Sequence, residues 1–366
     1  MLTRPAQYHR VGNPIRAHAD IDVTAVELPP ELRTAIEQRL RGTAPAELAR
    51  AVADLSAGYR ADQGGWRATR SPEHLLAYAA VRLPATYAAI TAALTRVREL
   101  RPGWCPRTLL DLGTGLGAGV WAVVGVWDSL RRVTALDADP RALALAGELA
   151  RSAAHPAIRA AEWRTATLTE PLPEMVSDLV LIAYVLGELA PAAVETLVQR
   201  AWEATTGTLV IVEPGTPAGY ERVIAARTRL LALGAHTTAP CPHDATCPLY
   251  GRDWCHFAVR LPRTRLHRAL KRAALGYEDE KFSYVALSRA DTDRAAARII
   301  RHPRVAPGRI ELTLCTRTGI RTPLITRADR ELFRQARKTT WGEAFPEAGD
   351  TPSADAPPAH EPEPDA

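Results

Sequence analysis

The chain of 366 residues has no long hydrophobic run and almost no lysine. Its longest apolar stretch, counting glycine, extends only from Leu116 to Trp127, whereas a membrane-spanning helix needs about 20 residues. The basic start of the chain is not followed by the hydrophobic segment of a secretory signal. These absences exclude the pattern of a membrane-embedded or exported protein, and we expect a soluble intracellular protein with no membrane partner.

Lysine contributes only three of the 46 basic residues, so that the positive charge is carried almost wholly by arginine. The segment 343–366 has seven acidic residues and no basic one, and it is rich in proline and alanine. We therefore expect 343–366 to be a disordered acidic tail. Residues 1–342 then carry 46 basic against 34 acidic groups, a net charge of +12. So basic a body favours an anionic partner such as nucleic acid.

Cysteine is scarce, and its placement is uneven. Three of the five cysteines, Cys241, Cys247 and Cys255, lie within 15 residues of one another. In a long chain without a secretory signal, such a group favours metal ligation over a disulfide framework. We expect the isolated Cys105 to be a small buried hydrophobe.

Helical patterns dominate the first unit, residues 1–104. Pro30 stands at the start of one helix, and further helices are predicted over Pro45–Tyr59 and 71–100. Because proline breaks the hydrogen bonding of a helix interior, we expect Pro84 to kink or divide the last of these.

The pattern changes to alternating strands and helices over residues 105–235. Four short, continuous apolar runs predict strands at Thr108–Leu112, Val133–Leu136, Leu179–Tyr184 and Thr208–Val212. Runs of this kind between helices are typical of a buried parallel sheet. The predicted fold class is α/β, a doubly wound parallel sheet with a helical N-terminal unit. Residues 236–342 are expected to form an extension with a cysteine-rich loop, a basic helix and a small antiparallel unit.

A glycine-rich loop joins the first of these strands to a helix. It has the spacing G-x-G-x-G, with an acidic residue two positions before the first glycine, and Asp137 ends the next strand. A dinucleotide site needs G-x-G-x-x-G for its pyrophosphate, whereas S-adenosylmethionine has an ammonium group that an acid could face. We favour S-adenosylmethionine over a nicotinamide cofactor, and a loop that keeps the fold without binding anything is the third possibility. The predicted cofactor-binding residues are Asp111, Gly113, Gly115, Gly117 and Asp137.

Methyl transfer is an in-line displacement that depends mainly on positioning, although a nitrogen or oxygen nucleophile can need a base. Tyr184 and Glu188 follow the predicted strand at 179–184, and Glu213 follows the strand at 208–212. All three are possible catalytic groups, and Glu213 could equally be a turn or packing residue. The sequence assigns no catalytic base.

The cysteine segment has the spacing C-x5-C-x7-C, and Cys315 supplies a further thiol 60 residues later. Structural zinc sites usually use C-x2–4-C pairs, so the wider spacing favours an iron–sulfur cluster held by four cysteines. Zinc bound by three cysteines and either His243 or His256 remains the alternative. The predicted metal ligands are Cys241, Cys247, Cys255 and Cys315.

A basic segment follows, with no acid between Cys255 and Gly276. A solvated helix face would explain it, but unbalanced charge beside a metal loop favours contact with phosphates. The predicted RNA-binding residues are Arg263, Arg265, Arg268, Lys271 and Arg272.

The run CPHDATCPLYGRDWCHF and its continuation RLPRTRLHRALKRAALGYEDEKFSYV carry a family resemblance. Together with LSAGYR, AYAAVRLPATYAAI and WGEAF, they resemble the ribosomal-small-subunit methyltransferase-like family, whose eukaryotic members are mitochondrial assembly factors. The resemblance spans about residues 28–345. It implies a class I methyltransferase-like fold that binds small-subunit rRNA during assembly, with a [4Fe–4S] cluster on the four cysteines named above.

Two functions follow from these patterns and the resemblance. One is an S-adenosylmethionine-dependent rRNA methyltransferase; the other is a non-catalytic rRNA-binding assembly factor that uses fold and cluster structurally. A zinc-stabilised methyltransferase acting on a small molecule or protein is a weaker third. Asp20 and Asp22 break the acid-free pattern of a mitochondrial presequence, so we expect a bacterial, cytoplasmic member, monomeric away from the ribosome.

Overall fold

A computed structural model describes residues 25–60, 71–172, 175–271 and 273–346. Four helices precede the sheet: α1 (Pro30–Leu40), α2 (Pro45–Arg60), α3 (Pro72–Val81) and α4 (Leu83–Leu100). The chain bends by 46° between α3 and α4. Pro84 lies in the first turn of α4, where its missing N–H costs no hydrogen bond. The predicted division at this proline is therefore confirmed.

The parallel part of the main sheet has five strands. They are β1 (Thr108–Leu112), β2 (Arg132–Asp137), β3 (Glu162–Thr165), β4 (Ser177–Ala183) and β5 (Thr205–Pro214). The helices that follow or separate them are α5 (Ala118–Val126), α6 (Pro140–Ala150), α7 (Pro156–Arg159), α8 (Pro191–Glu203) and α9 (Pro217–Ala232). The spatial order is β3-β2-β1-β4-β5, so the order reverses beside β1, where α/β proteins bind ligands.

Each central strand buries both of its faces, as the continuous apolar runs predict. In β1, Leu109 packs into a cluster that includes α4 and α5, while Leu110 and Leu112 pack into a second cluster with α8 and α9. Helices thus cover the sheet on both sides, and the predicted α/β class is confirmed.

Three antiparallel strands complete the sheet and correct two expectations. They are β6 (His236–Ala239), β7 (Phe257–Pro262) and β8 (Tyr277–Ser288), with α10 (Arg265–Lys271) between the last two. Strand β8 pairs antiparallel with β5, and both β6 and β7 pair with β8. The sheet is therefore mixed and mostly parallel rather than parallel. The predicted boundary at residue 235 falls inside this sheet, since the last three strands come after it.

The remaining described residues form two small sheets. Their elements are β9 (Ala297–Ile299), β10 (Arg304–Ala306), β11 (Arg309–Glu311), β12 (Leu314–Thr316), β13 (Gly319–Arg321), β14 (Leu324–Thr326), α11 (Arg330–Ala336) and β15 (Ala344–Phe345). The orders are β10-β11-β14 and β13-β12-β9-β15, which agrees with the predicted antiparallel unit. Because β15 pairs with β9 and buries Phe345, the ordered chain continues past residue 342. The rest of the expected tail, 347–366, lies outside the described residues.

Within the described ranges, no single helix is long and apolar enough to cross a membrane. Helices α3 and α4 together reach that length and hydropathy only as a bent pair, and many of their side chains are buried in the protein.

Candidate functional site

A cavity of about 410 Å³ opens at the carboxyl ends of β1, β2, β4 and β5. This volume lies within the range of small-molecule and cofactor sites. The glycine loop and Asp137 form one wall, and groups that follow β4 and β5 form the opposite one. The residues predicted to bind a cofactor, at 111, 113, 115 and 137, thus line one cavity, while Gly117 stands at the start of α5 beside it.

The backbone of the glycine loop requires glycine. Gly113, Gly115 and Gly117 all have positive φ, at 78°, 54° and 82°. A Cβ on Gly113 would also lie 2.3 Å from a methyl group of Val185, so no other residue fits there without movement. Asp137 fixes the loop, because its Oδ2 accepts a 2.7 Å hydrogen bond from the Gly115 N–H. Its Oδ1 accepts one from the N–H of Asp139.

Asp111 is buried beneath the loop at the end of β1. The Thr114 hydroxyl donates to its Oδ2 over 2.7 Å, and α5 approaches so closely that a Cβ on Gly119 would lie 2.7 Å from the same oxygen. Burial raises the pKa of Asp111 to about 7, and burial also raises the pKa of the neighbouring Asp137. Two carboxyl groups that lack basic partners in the described structure therefore face one cavity, which favours a ligand with a cationic end.

Tyr184, a possible catalytic group, leaves β4 with φ of 61°, an unusual conformation for a non-glycine residue. Its hydroxyl donates to Glu280 Oε1 over 3.0 Å, and the same carboxylate pairs with Arg82 at 3.2 Å. Burial raises the pKa of Tyr184 well above its ordinary range. Arg82, between α3 and α4, also lines the cavity, so the helical unit contributes to its wall. Arg82 and Glu280 are far from Tyr184 in the sequence, and only the tertiary fold brings the three residues together.

Glu213, at the end of β5, is almost completely buried against the cavity. Its Oε1 accepts from the Leu186 N–H over 2.9 Å, and its Oε2 lies 3.6 Å from Arg222 of α9. Burial raises the pKa of Glu213 to about 7. Glu188, the third possible catalytic group, lines the same cavity. All three groups thus border it, and Tyr184 and Glu213 take part in internal hydrogen bonds.

A second cavity lies on the other side of α9 and contains the four predicted metal ligands. Cys241 and Cys247 come from the loop after β6, Cys255 precedes β7, and Cys315 belongs to β12. All four are free thiols. Burial raises the pKa of Cys241, Cys255 and Cys315, so these thiols keep their protons until a metal displaces them.

Two buried arginines, which the sequence analysis did not single out, form part of the same cavity. Arg227 donates to the carbonyls of His243 and Ala245, and Arg298 donates to those of Pro240 and Gly342. Neither has an acidic partner in the part of the chain that the structure describes, and the Arg227 Nε and Arg298 Nη2 atoms lack hydrogen-bond acceptors. Buried charges normally need a counterion. An anionic metal–thiolate group fits the cavity in this respect.

The histidines of the zinc alternative do not line this cavity. His243 Nε2 lies 3.7 Å from Cys315 Sγ, and His256 stacks on Trp254. In the described ranges, no group of three or more His, Cys, Asp or Glu side chains is gathered tightly enough to hold one metal ion. The thiols instead surround a common space.

The predicted RNA-binding residues separate into two groups. Arg263 and Lys271 both bond to Glu278 on β8, at 2.8 Å and 2.9 Å, so they share one acidic partner. Arg265 and Arg268 are exposed on α10 and have no acidic partner among the described residues. Arg272 lies outside the described residues. Cys105 is exposed, so its predicted burial is wrong: the loop before β1 leaves it at the surface.

Comparison with known proteins identifies relatives over most of the chain. Residues 72–346 match the family described as mitochondrial small ribosomal subunit Rsm22. The human mitochondrial ribosome assembly protein METTL17 is 31% identical over 302 residues, which cover 76% of this chain and 63% of that protein. The mitochondrial Rsm22-cox11 tandem protein 2 of Schizosaccharomyces pombe is 24% identical, over 77% of this chain and 44% of its own length. The chain thus spans about half to two thirds of these relatives.

Two solved methyltransferase structures resemble parts of the fold at low sequence identity. Magnesium protoporphyrin IX methyltransferase from Synechocystis, with bound S-adenosylmethionine, is 11% identical with a TM-score of 0.38, covering 75% of this chain and 100% of that one. An O-methyltransferase family protein from Burkholderia thailandensis is 13% identical with a TM-score of 0.40, covering 64% and 63%. The extent of the family match and the identity to the human protein show that the chain belongs to the Rsm22 family.

Proposed function

We propose that this protein is a methyltransferase-like assembly factor of the small ribosomal subunit that binds S-adenosylmethionine and rRNA. The observation that carries the cofactor assignment is the 410 Å³ cavity, lined by the positive-φ glycine loop and two carboxyl groups. The description of the family and the name of the human relative supply the ribosomal context. Small-subunit rRNA is the anionic partner that suits the net charge of +12 on residues 1–342.

Within the cavity, each group has a role that its chemistry supports. Asp137, at the end of β2, suits the ribose diol, and Asp111 suits the ammonium group. S-adenosylmethionine would supply an activated methyl group. The chain would then orient the acceptor beside it, with Tyr184 and Glu188 on the acceptor side.

We further propose a [4Fe–4S] cluster on Cys241, Cys247, Cys255 and Cys315. In such a cluster each thiolate binds a different iron, so the ligands surround a space, whereas one zinc ion needs all four at about 2.3 Å from a single point. The four thiols line one cavity together, which is the arrangement that a four-cysteine cluster needs. Arg227 and Arg298 would balance its negative charge. Anaerobically purified protein should contain iron and sulfide; a colourless preparation with one zinc per chain would refute the cluster.

A non-catalytic assembly factor is the second candidate. The observation that favours it is that the Tyr184 hydroxyl and the Glu213 carboxylate are both held in internal contacts, by Glu280 and by Leu186 and Arg222. The Tyr184 hydroxyl is thus occupied as a donor, and Glu213 already accepts the Leu186 N–H with one of its oxygens. The two candidates share cofactor, RNA and cluster, and differ only in methyl transfer.

Crosslinking of the protein to RNA in cells, followed by sequencing, tests the RNA assignment directly. Mass spectrometry of rRNA from a deletion strain tests catalysis in the same cells. Crosslinks on small-subunit rRNA together with one missing methyl group would support the enzyme. Crosslinks without any change in methylation would support the non-catalytic factor, and the absence of small-subunit crosslinks would refute both.

A further inference from the structure

Positive charge is concentrated in the C-terminal part of the described chain. Residues 297–346 contain eleven basic and four acidic residues, a net charge of +7, which exceeds the +5 of the whole chain. The predicted RNA-binding residues lie elsewhere, in the acid-free segment around α10. The two small sheets are nevertheless a strongly basic part of the fold.

Only some of these basic residues are available to a partner. Arg304 pairs with Glu311 at 2.8 Å, Arg334 pairs with Glu331 at 2.7 Å, and Arg298 is buried. Five exposed arginines have no acidic partner among the described residues: Arg309, Arg317, Arg327, Arg330 and Arg337.

Three of the five arginines lie at one end of the sheet β10-β11-β14, where β11 begins and β14 ends. Arg309 begins β11 and stands opposite Thr326, the last residue of β14, and Arg327 follows directly. The Arg327 N–H donates to the Gly308 carbonyl, and its Nε lies 3.7 Å from where a Cβ of Gly308 would be. Arg330 begins α11, which packs against β14 and β11. We call Arg309, Arg327 and Arg330 the arginine edge.

Asp329 is the acid next to this edge in the chain, and it serves another purpose. Its Oδ1 accepts the Leu332 N–H over 3.0 Å and caps α11. The three guanidinium groups of the arginine edge therefore have no ion-pair partner among the described residues. Guanidinium groups form paired hydrogen bonds with phosphate oxygens, and an array of them matches a polyanionic backbone.

We propose that the arginine edge binds the phosphate backbone of RNA. The inference rests on the proposed rRNA-binding function and assigns it to a surface. Arg263 and Lys271, by contrast, share Glu278, so they can contact a phosphate only after giving up an ion pair.

The test compares two double variants of the full chain binding a small-subunit rRNA fragment, at several salt concentrations. Arg309→Gln/Arg327→Gln removes two unpaired charges, and Arg304→Gln/Arg334→Gln removes two paired charges from the same unit. Each phosphate contact contributes about 0.7 to 0.9 to the slope of log K against log salt concentration. We expect the first variant to lower the slope by about 1.4 to 1.8 and the control to leave it nearly unchanged.

Equal slopes for the two variants, with the wild type binding RNA, would overturn the arginine edge alone. A wild type that binds S-adenosylmethionine but no RNA would overturn both this proposal and the rRNA function. Binding of polyglutamate, an acidic polypeptide, distinguishes an RNA-binding surface from one that binds an acidic protein. If the first variant loses polyglutamate binding while its RNA affinity is unchanged, the edge serves an acidic protein and the proposal is wrong.

Discussion

The Asp137 carboxylate positions the glycine loop through hydrogen bonds to the backbone. Both of its carboxylate oxygens accept backbone N–H groups, from Gly115 and Asp139, so its charge shapes the cavity wall before any ligand enters. Hydrogen bonds to a charged group are worth about 1.5–3 kcal/mol. We therefore expect Asp137→Asn to weaken S-adenosylmethionine binding by roughly 10- to 100-fold, as measured by isothermal titration calorimetry.

The matched control for this prediction is Asp139→Asn. Asp139 caps α6 and pairs with Arg141, but it does not line the cavity. Its substitution should leave the affinity for S-adenosylmethionine within about twofold of the wild type. Equal losses from both variants would mean that the loop as a whole, rather than Asp137, determines binding.

Asp111 gives the ligand-free protein a specific pH dependence. Its pKa is about 7 in the folded protein and close to 3.8 when unfolded, since burial favours the neutral acid. Between about pH 4 and pH 7, the folded state therefore keeps a proton on Asp111 that the unfolded state releases. The resulting stabilisation is complete below about pH 4 and is lost as the pH rises through 7.

Asp111→Asn should remove this dependence while keeping an acceptor for Thr114. From pH 5 to pH 8, the free energy of unfolding should fall more in the wild type than in the variant, by at most about 3 kcal/mol. Chemical denaturation at each pH measures the difference. Glu37→Gln, at an exposed side chain of α1, is the control and should follow the wild type. Parallel curves for Asp111→Asn and the wild type would contradict the assignment.

At the scale of elements, the predictable parts are those that local patterns specify. Pro30 and Pro84 stand near helix starts, Asp139 directly before Pro140 caps α6, and the continuous apolar runs correspond to β1, β2, β4 and β5. Strand direction cannot be predicted in this way, because the apolar content of β8 is the same whether the strand runs parallel or antiparallel to β5. The antiparallel pairing, and with it the approach of Glu280 to Tyr184, depends on tertiary structure that the local sequence does not encode.

Helix α9 separates the two cavities and contributes side chains to both. Arg222 borders the cofactor cavity beside Glu213, while Tyr220 and Arg227 border the thiols. The Tyr220 hydroxyl donates to Cys247 Sγ over 3.2 Å. Hydrogen bonds of this kind orient metal ligands and stabilise thiolate charge.

Tyr220→Phe should therefore make the metal-loaded protein lose its metal to a chelator several-fold faster than the wild type. Tyr284→Phe is the matched control, because Tyr284 lines the same cavity and its buried hydroxyl has no hydrogen-bond partner. Absorbance during chelation gives both rates. Equal release from the two variants would show that the hydrogen bond to Cys247 has no role in retention.

For the molecule as a whole, the four thiols connect parts of the chain that are distant in sequence. Cys241, Cys247 and Cys255 lie between strands of the main sheet, whereas Cys315 lies in a small sheet. The spacing of the first three indicates a metal site from local sequence alone. The two arginines beside them could not be predicted, because Arg227 on α9 and Arg298 on β9 meet the thiols only in the folded chain.

A group bound by all four thiols would fasten the small sheets to the main sheet, so its loss should affect the whole fold. A ligand that binds only the folded state stabilises it in proportion to the logarithm of its concentration over Kd. We therefore expect Cys247→Ser to lose the metal and to lower the melting temperature of the purified protein by several degrees. Scanning calorimetry with metal analysis of the same samples measures both effects.

The control for Cys247→Ser is Cys105→Ser, at an exposed thiol away from the cavity, which should keep both metal content and melting temperature. The metal-free forms provide the sharper comparison. Because Cys247 is only half-buried, serine at 247 should remove little stability by itself, and metal-free wild type and variant should melt within a few degrees of each other. A variant that retains full metal, or a loaded wild type no more stable than its metal-free form, would exclude a fastening role for the cysteine site.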